Sequence, residues 1–167
     1  MKIVVGVGNV LQKDDGIGIH LVRRLSKMFS NAGGIEFIDA GTSNEIFFCA
    51  KEADSILIID AVRNNGIPGD VYRFSWEKWK LFLIGSKGRS TISLHQEGIY
   101  DALVLAEISG ILPRKIEIIG IEPCEIGWGE ELSLELRLKY EDIENYLKRI
   151  LEDMSPIIQA EDRAQFN

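Results

Sequence analysis

The stretch "GVGNVLQKDDGIG", residues 6–18, places two glycines after an apolar run and then two adjacent aspartates, Asp14 and Asp15. Carboxylates recur where other apolar runs end: Asp39 in "IDAGTS" and Asp60 in "ILIIDAV". His95, in "SLHQEGI", is one of only two histidines in the chain. Carboxylate oxygen and imidazole nitrogen together suit borderline divalent ions such as Zn²⁺ or Ni²⁺. Three such ligands leave coordination positions open for a substrate. A carboxylate near such an ion can also serve as a general base toward water.

Each of these residues also has a plainer role. An aspartate at a helix start satisfies orphan N–H groups and favours the helix dipole. For Asp14 that capping role is the expectation. Asp39 and Asp60 can brace loops, and His95 can be a hydrogen-bonded structural residue. His20 falls on the polar side of a helical pattern and is expected at the surface. Cys49 and Cys124 are expected as small packing residues, and Trp76 and Trp79 as local packing. A dinucleotide site is disfavoured. Gly6-x-Gly8 is followed by Leu11 where a third glycine would stand, and two carboxylates at the helix start would repel a pyrophosphate.

The elements that must position these side chains follow from periodicity. Residues 2–7 and about 34–39 predict strands, as does the apolar run "SILIIDAV". Apolar residues at Ile17, Leu21, Val22, Leu25, Met28 and Phe29 predict a helix between the first two strands. "TSNEIFFCAKEA" predicts a short helix, capped by Thr42 or Ser43. "NNGIPGDVYRF" passes from a turn straight into Val71, Tyr72 and Phe74, which predicts an antiparallel edge strand. A short helix around Trp76 and Trp79 and a loop at "GSKGRS" come next. Then follow a helix from about His95 to Gly110 and a strand at "KIEIIGIEP". A last helix begins near Ser133, although Leu132, Leu134, Leu136 and Leu138 alternate as in a strand. The pattern is an α/β sandwich with a mostly parallel sheet. In such sheets ligands gather at the carboxyl ends of the strands, where strand order reverses. Asp14, Asp15, Asp39, Asp60 and His95 all belong to segments that open on that edge.

Composition limits the remaining choices. The 167 residues carry a net charge of −7 without a basic stripe, which argues against nucleic-acid or membrane partners. Two cysteines without a CxxC spacing argue against a disulfide scaffold. A reducing, cytoplasmic setting is expected. No apolar run reaches the ~20 residues of a membrane span. Residues 1–154 are expected to form a single domain, and 155–167 a loose tail.

"GVGNVLQKDDGIG", "IDAGTS", "ILIIDAV", "SLHQEGI" and "IIGIEP…GWGEELS" occur in this order over residues 1 to about 153. Together they resemble the nickel–iron hydrogenase maturation endopeptidases. The resemblance implies a three-layer α/β/α sandwich with a five-stranded, mostly parallel twisted sheet and one antiparallel strand. It implies an endopeptidase that removes the C-terminal extension of a hydrogenase large-subunit precursor after nickel insertion. By position, Asp15, Asp60 and His95 are the implied metal-contacting and catalytic residues. Asp39, Gly41 and Thr42 match a box implicated in substrate recognition, with Ala40 where some relatives have glycine. The nickel belongs to the substrate, and the same site can take other divalent ions such as zinc or cadmium. A monomer is expected. The alternative is a non-catalytic nickel-sensing docking module of the same fold.

Overall fold

Alternation of side chains about a pleated backbone explains why the apolar runs become two-sided strands. The computed structural model describes residues 1–30, 33–42, 53–86 and 94–154, with the backbone alone for Ser86 and residues 94–100. The expected helix at 42–53, the loop at "GSKGRS" and the tail at 155–167 fall wholly or largely outside the described residues.

Five strands form one sheet: β1 (Lys2–Val7), β2 (Ile35–Gly41), β3 (Ser55–Ala61), β4 (Val71–Ser75) and β5 (Lys115–Ile121). Their order is β2-β1-β3-β5-β4. β1 pairs in parallel with β2 and with β3, and β3 in parallel with β5. β4 pairs antiparallel with β5 at the sheet edge, as the helix-free approach to Val71 predicts.

Four helices are present among the described residues: α1 (Ile17–Met28), α2 (Trp76–Ser86), α3 (Leu94–Ile108) and α4 (Leu134–Met154). On one face of the sheet, Ile3, Val5, Ile56, Ile58 and Ile118 pack with Trp76 and Trp79 of α2 and Leu103 and Ala106 of α3. On the other face, Val4, Leu57, Ile59 and Ile119 pack with Leu21, Val22 and Leu25 of α1 and Leu136, Ile143 and Leu147 of α4. The result is the three-layer sandwich. Both tryptophans are core residues, as expected.

The alternating leucines belong to a helix. Ser133 supplies the cap, its Oγ accepting the Leu136 N–H at 3.3 Å. Leu136 is buried while Leu134 and Leu138 face solvent. Apolar spacing over the following three turns decides the matter: Ile143, Leu147, Ile150 and Leu151 are all buried.

Candidate active site

The sheet reverses direction of growth at β1. From β1 the chain adds β2 on one side and β3 on the other. The crevice above the carboxyl ends of β1 and β3 is therefore the switch point, where open α/β sheets bind ligands. Asp15 lies in the loop leaving β1 and Asp60 is the penultimate residue of β3. Both carboxylates are buried, at 1% and 2% exposure. Asp60 shares the parity of Ile56 and Ile58, so it stands on the α2–α3 face. His95 lies in the first turn of α3, one residue inside the helix. α3 leads through residues 109–114 into β5, which runs parallel to β3. Its amino end thus returns to the carboxyl edge, on the same face as Asp60. The His95 side chain lies outside the described residues.

Local structure fixes the two neighbouring aspartates differently. Residues 13–16 form a single 3₁₀ turn before α1. The Asn9 N–H donates to Asp15 Oδ2 at 2.9 Å. A Cβ on Gly8, whose φ is +132°, would lie 1.8 Å from the Asp15 carbonyl oxygen, so only glycine lets β1 and this turn meet. Asp14 does not cap α1. Its Oδ2 accepts the N–H groups of Cys124 (2.9 Å) and Glu125 (2.8 Å), and its Oδ1 accepts that of Ser133 (2.7 Å). A fully buried carboxylate thus ties the β5–α4 loop to the turn that carries Asp15. Three N–H donors more than 100 residues away in sequence outcompete the helix start for it.

Asp39 has the opposite parity and stands on the α1 side, where its Oδ2 accepts the Arg23 Nε–H at 2.6 Å. Its Oδ1 accepts the Gly41 N–H at 3.2 Å. Gly41 adopts φ +55°, the left-handed conformation that the turn requires. Ala40, at the non-glycine position of the box, is buried in the core. Gly41 and Thr42 wall a cleft of about 210 Å³ together with Gly8, Asn9 and Val10. The structure thus separates the carboxylates into two groups: Asp15 with Asp60 at the switch point, and Asp39 beside the cleft between β1 and β2.

A family model described as hydrogenase maturation protease matches residues 19–152. The chain belongs to this family of endopeptidases. It is 29% identical over 163 residues to the hydrogenase expression/formation protein HoxM of Azotobacter vinelandii, spanning 96% of this chain and 76% of that protein. It is 30% identical to HupM of Azotobacter chroococcum over 74% of this chain, but spans only 58% of that relative's length. Among solved structures it resembles the [NiFe] hydrogenase maturation protease HybD from Thermococcus kodakarensis. The TM-score is 0.68 at 30% identity, covering 89% of this chain and 97% of that one.

In this maturation-protease chain, the buried carboxylates of Asp15 and Asp60 are of the donor type that suits a divalent ion. Among the described residues no set of three His, Cys, Asp or Glu side chains comes together to hold a metal. No helix among them is long and apolar enough to cross a membrane.

Cys124 packs, partly buried, against the core on the α1–α4 side; desolvation, then its hydrogen bond with Glu135, raises the thiol and disfavours a nucleophilic thiolate. One residue departs from the sequence reading. His20 is half-buried rather than superficial, and its Nε2 has no hydrogen-bond partner among the described residues. Cys49 lies outside the described residues.

Two others escaped the sequence reading. Glu122, just beyond β5, is buried and accepts the Asn64 N–H and the Tyr72 hydroxyl, both at 2.8 Å. Its signal was present in "IEP": a carboxylate at the end of an apolar strand, like Asp60. Trp128 is 83% exposed. Its signal was a lone tryptophan between two glycines.

Proposed function

We propose that this chain is an endopeptidase that removes the C-terminal extension of a nickel–iron hydrogenase large-subunit precursor after nickel insertion. One observation supports the reading: Asp15 and Asp60 are both buried at the carboxyl ends of the adjacent strands β1 and β3, at the switch point, in a member of the maturation-protease family. Asp15, Asp60 and His95 contact the substrate's nickel through its open coordination positions, so that only a metal-loaded precursor is held. Zinc or cadmium can stand in for that nickel at the same donors. The scissile peptide then lies beside a carboxylate able to accept a proton from attacking water. Fixing the peptide in this geometry supplies part of the rate by itself. Asp39, Gly41 and Thr42 receive the polypeptide in the neighbouring cleft. The protein works as a cytoplasmic monomer, with neither nucleic acid nor membrane as partner.

The test is the mass of nickel-loaded precursor after incubation. The wild-type chain shortens it; Asp60→Asn and His95→Ala leave it uncut with circular dichroism unchanged. Full processing by both variants refutes the assigned roles. Binding without any mass change by the wild type identifies a docking module instead.

A further inference from the structure

Trp128 is the most exposed large apolar side chain in the described structure, at 83%. An exposed tryptophan on a slack loop means little. This one sits on a loop fastened at many points to the segment that carries Asp15. The Gly129 N–H donates to the Leu11 carbonyl at 3.0 Å, and the Lys13 N–H to the Gly129 carbonyl at 2.7 Å. The Asp14 N–H donates to the Glu125 carbonyl at 3.2 Å, while the Asp14 carboxylate accepts the N–H groups of Cys124, Glu125 and Ser133. Lys13 pairs with the Glu125 carboxylate. Gly129 holds φ +146° and Lys13 φ +52°, backbone conformations maintained by these contacts.

Such bracing removes the ordering cost that ordinarily weakens an exposed aromatic as a contact. The position is also telling. Gln12 and Gly129 pair in an isolated parallel bridge, which brings their chain neighbours Leu11, 48% exposed, and Trp128 to the same edge, and the next residues back, Asn9 and Val10, line the cleft beside Asp39. That cleft holds about 210 Å³, room for a few side chains only. An indole outside it engages something larger than the segment inside.

We infer that Trp128 and Leu11 form a preorganised anchor for the folded body of the polypeptide substrate, next to the point where its tail enters the site. The inference rests on the proposed endopeptidase reading. Glu125 and Glu131, near Trp128 in the chain, are paired with Lys13 and Arg137, so the complementary patch is chiefly an apolar pocket, with exposed Glu130 able to meet one basic side chain.

Two readouts test it, with nickel-loaded precursor as the probe. In steady-state tail removal, Trp128→Ala raises KM on the order of 30-fold, the ordinary effect of losing a central aromatic anchor, and leaves kcat unchanged. Trp128→Phe restores most of the loss. Ile108→Ala, an equally exposed apolar residue at the far end of α3, behaves as wild type. An unchanged KM for Trp128→Ala overturns the inference while tail removal by the wild type upholds the proposed function.

The second readout does not need catalysis. Protein labelled with 5-fluorotryptophan has three fluorine sites, of which Trp76 and Trp79 are buried. The exposed resonance, absent from Trp128→Phe, shifts on adding unlabelled precursor. No shift overturns the inference even if the tail is removed. A shift produced by raising the protein's own concentration alone also overturns it, because the face then binds a second copy.

Discussion

Asp14 accepts three backbone N–H groups through a side chain with no exposed surface. Asp14→Ala leaves those three donors without their acceptor, and at about 1–3 kcal/mol for each unsatisfied buried group the expected loss is about 3 kcal/mol or more. Urea unfolding measures it, and Asp14→Asn, which keeps one acceptor oxygen, should fall between. His20 offers a pH test. Burial, then Arg23, lowers its imidazole below the ordinary value, with Asp39 acting in the opposite sense. Below about pH 6.5 the unfolded chain binds a proton that the folded protein resists. Stability therefore falls as pH drops through that value and levels off below the folded pKa. The fall in urea midpoint between pH 7.5 and 5.5 should be larger for wild type than for His20→Gln, which removes the titration while leaving His95 in place. Both effects lay beyond the sequence for one reason: the partners are distant or tertiary. Asp15 and Asp60 were legible because a strand end is a local feature. The donors that claim Asp14 enter the chain more than 100 residues later. Trp128 was visible as a residue, but its exposure depends on a loop whose path no local pattern fixes.

At the scale of elements, α1 packs tightly against the sheet. A Cβ on Gly18 would come within 2.2 Å of the Ile59 carbonyl oxygen and 2.4 Å of that of Val7. A Cβ on Gly6 would sit 2.5 Å from the Gly18 carbonyl oxygen. These contacts are with backbone, which cannot swing aside as a flexible side chain can. Gly18→Ala should therefore cost about 3 kcal/mol or more, the upper end for overpacking, and displace α1 together with the turn bearing Asp15. Thermal unfolding reads the first effect and loss of tail removal the second. Gly6 and Gly8, the pair that looks like a phosphate-binding signature in sequence, act instead as points of close backbone approach. Strand and helix positions were otherwise readable, from helical apolar spacing in α1 and α4 and from the continuous apolar run of β3. The antiparallel β4 was legible from the missing crossover. Helix α4 was ambiguous only where four leucines alternate across the cap and the first turn, and the later turns decide.

For the whole molecule, the layer type was legible and the strand order was not. Sequence shows that strands alternate with helices, but which neighbour each strand takes depends on packing across the sheet. The order places β5 between β3 and β4, so the last strand made holds two earlier ones together. A chain ending at Arg114 should consequently give no cooperative unfolding transition, as urea unfolding would show. The same arrangement has a bearing on biosynthesis. As the polypeptide leaves the ribosome, β4 has no strand to pair with until residues 115–121 emerge, and Asp14 waits for Ser133. Most of the translation product must therefore be outside the exit tunnel before the acidic crevice exists, so that a half-made protease has no means of cutting its neighbours.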